Sequence, residues 1–357
     1  MNICRTKLAR LNLLMLLLPL SVLSLAHAAT GPELRAGRDQ QYLNFSWEPL
    51  DAKLSEALTL NGPWLTVNTA AVNSCRYRMT GARKFFRLTQ PPPGKKWLTL
   101  AAVTMHGVPN TETNLATMFA RMTEAASRGA DLVVFPEVAL QQCPPWAEYS
   151  RTPTPAEMAY MTNTAETVPG PSTDILVAKA KELGIHVVFG MTEKDEAGRI
   201  YNTAVFLGPG GVFGTHRKSI HVGNDSQIWS RGTQLIQVVA SPLGKAGMMI
   251  CAEMGGECGC IDTVPGPRLA AAGADFLVTS SAWWTGAAGL YDIATNTNAL
   301  RASRWHVVAE QVGLIGYAQC YGHSRIVDPR GTVICDTGAN EGLIMRATDI
   351  LIDAGTP

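Results

Sequence analysis

The chain has 357 residues, of which 46% are hydrophobic, and its 30 Lys and Arg residues are balanced by 29 Asp and Glu for a net charge of +1. Acidic and basic residues are spread along the whole length, which argues against nucleic acid or an anionic surface as the partner. The balance is that of a globular protein, and the length suits one large domain plus something small.

The chain opens with MNICRTKLARLNLLMLLLPLSVLSLAHAAT. Arg5, Lys7 and Arg10 precede an apolar run that ends at Ala-His-Ala, the pattern of a signal peptide over residues 1–28 cut after Ala28. The expected product is secreted or periplasmic, with no membrane span, in an oxidising compartment. Cys4 leaves with the signal and Cys75, Cys143, Cys251, Cys258, Cys260, Cys320 and Cys335 remain, an odd set. The economical expectation is up to three disulfides among six of them, with Cys251 left free. A zinc site on Cys258 and Cys260 conflicts with their one-residue spacing and the lack of a second close Cys or His pair.

After a polar stretch, residues 29–90 alternate short apolar pieces with turn residues ("YLNFSWEPL", "LTLNGPWLTV", "RKFFRLTQ"), which predicts a small β-rich module or an N-terminal extension. Residues 91–96 carry Pro91, Pro92, Pro93 and Gly94, a stiff hinge. From 97 to 350 the pattern is a large α/β domain, followed by a tail over 351–357. "KKWLTLAAVTM" reads as a buried strand, Glu112 to Arg128 as a helix stopped by Gly129, and "DLVVFPE" as a short strand ending in an acid. A helix over Thr173 to Leu183 stops at Gly184, then come "HVVFGMTE" and the hairpin "IYNTAVFLGPGGVFGTHRK". The strands "LIQVVAS" and "KAGMMIC", a helix near Pro267 to Ala272, "DFLVTSSAWW" and a helix over Ile293 to Trp305 follow. "HVVAEQVGLIG", "SRIVDPRGTVIC" and "EGLIMRATDI" close the chain as strands. Sheets inside and helices outside fit this order better than a single doubly wound sheet.

Three polar residues stand where an apolar strand runs out: Glu137 after "LVVFP", Lys218 after "GVFGTHR" and Cys251 after "AGMMI". Such strand ends face the crevice of an α/β fold while the strand body is locked in the core. Each alone is compatible with a structural role. Together they supply a thiol nucleophile, a carboxylate to take its proton and a cation to hold developing negative charge, with the Ala252 backbone N–H as a second donor.

The motifs "AASRGADLVVFPE", "GRIYNTAVFLGPGGVFGTHRK", "GKAGMMICAE", "GADFLVTSSAWW" and "GHSRIVDPRGTVI" resemble, in order, those of the nitrilase superfamily of carbon–nitrogen hydrolases. The resemblance covers Trp97 to Ile350 and implies a four-layer α-β-β-α sandwich, a homodimer or higher homo-oligomer, and a catalytic triad of Glu137, Lys218 and Cys251. It implies a covalent thioester mechanism with no cofactor and no metal. A second acid that many members carry after the lysine falls on Asp225, one methylene shorter than the usual Glu, and Ala252 stands where true nitrilases have Trp. Trp229, Trp283 and Trp284 are candidates for the pocket wall or for core packing. Tyr201 and Asn202 read as structural, and Arg301 and Arg304 either reach an acidic substrate or tie down their helix. His216, His221 and His323 raise a Cys-His protease reading, against which the motif order stands. The substrate expected is a small-molecule amide, with a nitrile or a carbamoyl compound as alternatives, and a non-catalytic surface-binding protein is the reading from another class. The loops at 138–155, 222–232 and 254–265 are expected to set specificity, with Cys143, Cys258 and Cys260 as disulfide partners on the rim.

Overall fold

The computed structural model describes residues 89–143, 152–256, 261–315 and 318–355, and before residue 89 the strands alone. The chain divides into two units, Met1–Trp97 and Leu98–Pro357. In the first, Glu33–Asp39, Tyr42–Glu48 and Ser74–Arg78 form a three-stranded antiparallel sheet. Lys53–Ala57 pairs with Leu65–Asn68 and Phe85–Thr89 in a five-stranded sheet that also holds Met15–Leu17 and Leu23–Leu25. Those last two strands are the described part of the expected signal peptide. Its remainder, Cys258, Cys260 and the side chain of Cys75 lie outside the described residues.

The second unit is built on two six-stranded mixed sheets. In chain order the first sheet contributes β1 (Lys95–Thr104), β2 (Leu132–Val134), β3 (His186–Lys194), β4 (Ile200–Gly208) and β5 (Gly211–Arg217). The second contributes β6 (Gln237–Ser241), β7 (Gly244–Ile250), β8 (Phe276–Ser281) and β9 (His306–Glu310). A separate hairpin, β10 (Val312–Ile315) and β11 (Ala318–Tyr321), precedes β12 (Arg325–Val327), β13 (Val333–Asp336) and β14 (Gly342–Asp353). The sheet orders are β5-β4-β3-β2-β1-β14 and β6-β7-β8-β9-β12-β13. Each has three parallel strands at its centre, β1, β2 and β3 in one and β7, β8 and β9 in the other. Strands buried on both faces need continuous apolar sequence, as in "LVV" and the "AGMMI" part of β7.

Between the sheets lies one apolar layer, with Leu98, Leu100, Val134, Val188 and Phe206 from the first against Met248, Ile250, Phe276, Val278 and Val308 from the second. The opposite face of the first sheet, through Val133, Phe135, Val187, Phe189 and Val205, packs on Met118, Met122 and Ala125 of α1 (Thr111–Ser127) and on Leu176 and Ala180 of α3 (Pro171–Leu183). Leu269 of α5 (Gly266–Ala271) and Tyr291 and Ala294 of α6 (Ala288–Ala302) pack on the second sheet. The result is the expected four-layer α-β-β-α sandwich. No helix among the described residues is long and apolar enough to cross a membrane.

Two helices were not expected, one following the 138–155 loop and one within the 222–232 loop. α2 (Pro155–Thr164) starts at a capping box in which the Thr154 hydroxyl accepts from Glu157 N and the Glu157 carboxylate accepts from Thr154 N. α4 (Asp225–Ile228) is a single turn. The stretch "HVVAEQVGLIG" breaks into β9 and β10 because Gln311 leaves the sheet to bridge to Met105. β14 carries the last strand to Asp353, three residues past the expected domain end.

Candidate active site

Glu137, Lys218 and Cys251 follow strands β2, β5 and β7, and the fold brings the three strand ends together. Glu137 N donates to Ser281 O at the end of β8 (3.3 Å), which ties the two sheets at this edge. The turn after Pro136 lies on the backbone of β3: Gly190 N donates to Pro136 O (3.0 Å) and Leu140 N to Gly190 O (3.2 Å). A Cβ on Gly190 would sit 2.4 Å from Val138 N and 2.7 Å from Glu137 Cα, so only glycine permits this approach.

The Glu137 carboxylate is buried and accepts from Lys218 Nζ (2.7 Å) and Asn202 Nδ2 (2.7 Å), both on Oε1. Neither donor occupies Oε2. Gln311 Nε2 donates to the Glu137 carbonyl (3.0 Å). Lys218, equally buried, bridges Glu137 to Asp225 Oδ2 (2.8 Å). The shorter acid reaches because it opens α4, and the same Oδ2 accepts from Val222 N (3.0 Å), which folds the intervening loop inward. Burial alone would lower the lysine pKa, but the Asp225 and Glu137 carboxylates outweigh it and hold the ammonium well above the ordinary lysine value.

Cys251 opens a 3₁₀ turn, Cys251–Gly255, with φ at 45°, a left-handed conformation that costs a non-glycine residue about 1–3 kcal/mol. Burial, then the Glu137 charge, push its thiol well above the ordinary value, while Lys218 and the Ala282 N–H pull the other way. Its surroundings therefore favour the thiol over the thiolate. Ala252 is half-buried at the start of the same turn.

Four polar side chains at this edge stand out only in the structure. Asn202, read from sequence as structural, is the second donor to Glu137. Gln311 is fully buried and holds the Glu137 backbone. Glu253, two residues past Cys251, is fully buried and accepts from His216, Ser219 and Ile250. Glu310 accepts from the Trp283 and Gln311 backbone N–H groups, and burial pushes its carboxyl well above the ordinary range. An acid or amide inside an otherwise apolar strand, as in "IYNTAVF" and "HVVAEQV", is the signal that marks such residues.

Trp229 sits in an apolar cluster with Val138, Cys143, Met161 and Ile228, its indole N–H donating to Thr192 Oγ1 (3.3 Å). Trp283 packs on Tyr291 beside the Cys251–Gly255 turn, its N–H donating to Ala287 O (2.9 Å). Both are core residues, whereas Trp284 is about half exposed, at 52%. Arg304 donates to Ala274 O and Arg301 to Asp262 O, so both tie α6 to its neighbours. His216 pairs with Glu253 (2.7 Å) and His323 with Asp336 (2.9 Å). Cys143, Cys320 and Cys335 are free thiols like Cys251, which corrects the expectation of up to three disulfides and removes Cys143 as a disulfide partner on the rim. Each has a pKa raised first by burial, as expected of thiols packed as small hydrophobes. Among the described residues no group of His, Cys, Asp or Glu is placed to hold a metal ion.

Residues 99–351 match the carbon–nitrogen hydrolase family. The chain is 34% identical over 161 residues to an aliphatic nitrilase of Sinorhizobium fredii, covering 43% of this chain and 52% of that protein. It is 27% identical over 250 residues to the omega-amidase NIT2 of Xenopus tropicalis, covering 64% and 79%. Among solved structures, Saccharomyces cerevisiae Nit3 superposes with a TM-score of 0.59 at 22% identity over 74% of this chain and 92% of that one. An amidase from Nesterenkonia AN1 gives 0.59 at 18% over 72% and 92%. With this fold and a family match across most of its length, the chain belongs to the carbon–nitrogen hydrolase family, the nitrilase superfamily, and is an enzyme of that class.

Proposed function

We propose that the protein is an exported thiol hydrolase that cleaves the C–N bond of a small amide through Glu137, Lys218 and Cys251, releasing ammonia or an amine. The observation that carries this reading is the buried Glu137–Lys218–Asp225 chain at the strand ends beside the buried Cys251 thiol. Cys251 Sγ bonds to the amide carbon while its proton passes to Glu137. The oxygen, now negative, is held by the Lys218 ammonium and the Ala252 N–H. Glu137 returns the proton to the nitrogen, the C–N bond breaks, and a thioester remains. Glu137 then takes a proton from water, whose oxygen attacks the thioester; the C–S bond breaks and the proton goes back to the sulfur.

Asp225 keeps Lys218 charged through both steps, because two neighbouring carboxylates compensate the buried ammonium. The partial likeness to an aliphatic nitrilase favours nitriles as the second substrate class. The test is ammonia release by the mature protein and by Cys251→Ala, against aliphatic and aromatic amides, nitriles and carbamoyl amines. Release from amides that falls at least about 1,000-fold in the variant is expected. Release from nitriles alone would make it a nitrilase. Equal release from both proteins would remove Cys251 as the nucleophile, and no release from either would favour a binding protein on this fold.

A further inference from the structure

Glu253 is fully buried, and its carboxylate accepts four hydrogen bonds. Oε2 accepts from Ile250 N (2.7 Å) and His216 Nε2 (2.7 Å), and Oε1 from Ser219 N (2.6 Å) and Ser219 Oγ (2.7 Å). The donors belong to opposite sheets. Ile250 ends β7 and immediately precedes Cys251; His216 lies on β5, and Ser219 immediately follows Lys218. One side chain thus joins the residue before the thiol to the residue after the ammonium. Burial would raise its pKa, but His216 and Ser219 outweigh that and hold Glu253 below the ordinary carboxylate value, so it is the ionised form that the four donors surround.

We propose that Glu253 is a positioning residue for the reaction, locking the nucleophile turn onto the lysine-bearing strand end and so setting the Cys251–Lys218 geometry. The inference rests on Cys251 being the nucleophile. Left-handed backbone at Cys251 persists only where its surroundings over-determine it, and the Ile250 N to Glu253 bond closes the turn that does so. Gln has the shape of Glu but one acceptor oxygen. Its NH2 would face either Ile250 N or Ser219 N, a donor against a donor, and one of the two ends must move. Asp keeps the charge and both oxygens on a shorter arm.

The test measures the rate of Cys251 alkylation by iodoacetamide against pH, read by peptide mass spectrometry, together with kcat, KM and circular dichroism. The proteins are wild type, Glu253→Gln, Glu253→Asp and Ser219→Ala. We expect Glu253→Gln to keep the wild-type dichroism spectrum, to shift the pH midpoint of alkylation and to lose about 100-fold in kcat with KM within about threefold. Glu253→Asp recovers part of that loss. Ser219→Ala, which keeps the carboxylate and the backbone donor, loses about threefold to tenfold in kcat. A Glu253→Gln protein with wild-type midpoint and kcat and only a lower Tm would overturn the proposal. If Glu253→Gln does not fold, Ser219→Ala decides: an unchanged midpoint and kcat overturns it. Alkylation of wild-type Cys251 that leaves activity intact would instead overturn the nucleophile reading, and this inference with it.

Discussion

Glu253 and Glu310 are both fully buried acids acting on the same strand edge, and their surroundings drive them in opposite directions. Glu253 meets four donors. Glu310 has the Trp283 and Gln311 N–H groups on Oε1, but burial outweighs its hydrogen bonds and the Glu137 charge nearby opposes its ionisation further. Glu310 therefore holds its proton to higher pH than an ordinary carboxyl does. As pH rises above the ordinary carboxylate pKa, the unfolded chain gives up this proton while the folded one keeps it, so Glu310 costs stability with rising pH. Glu310→Gln, a neutral shape mimic, is expected to keep kcat within about threefold and to flatten the fall of Tm between pH 5 and 9. Thermal melts across that range check it; a variant with the wild-type slope would show that Glu310 is ionised. That Glu137, Lys218 and Cys251 stand just past strand ends was legible in sequence, because each follows a strand pattern. Asn202 was read only as structural and Glu253 and Glu310 were given no role, because a polar residue within or just past a strand shows its partner only when the other strand is in place.

At the scale of elements, the strands and long helices followed their apolar periods closely, down to the stop of α3 at Gly184, which is left-handed with φ at 65°. α2 was passed over inside a polar stretch, although Thr154, Pro155 and Glu157 spell its start. The role of Gly190 was invisible, since a strand glycine shows nothing of the backbone that crosses it. Gly190→Ala must push the Glu137 turn off β3, and is expected to cost about 1–3 kcal/mol of stability or more and at least about tenfold in kcat. Gly289→Ala is the control: it lies in α6 with nothing within 4 Å of its Cβ and should gain about 0.4–1 kcal/mol. Urea titration and steady-state kinetics separate the two. Equal behaviour of both variants would show that the turn can shift without penalty.

At the scale of the whole molecule, the second sheet is held partly by a group that tolerates no proton. His306 opens β9, fully buried, with Nε2 at Thr279 Oγ1 (2.8 Å) and Nδ1 at Thr295 O (3.1 Å). Burial lowers its pKa from the model-peptide value of 6.5 to about 4. Between those values the unfolded chain binds a proton that the folded one excludes, so stability falls as pH drops through this window, by about 3 kcal/mol. His306→Gln should lose that dependence, measured as the urea midpoint at pH 4.5 against pH 7. A variant that keeps it would place the acid sensitivity elsewhere.

By itself the sequence determined the alternation of strands and helices, the sandwich class and the identity of three residues at strand ends, because burial period and strand termination are local properties of the chain. Only the tertiary structure decided that Lys218 lies between Glu137 and Asp225, that a loop and one helical turn make up the missing methylene, and that Glu253 joins one sheet to the other. It also decided that Cys143, Cys320 and Cys335 stay unpaired. Those relations depend on distances between segments tens of residues apart, which are set when two sheets pack through one apolar layer, and no local pattern encodes them.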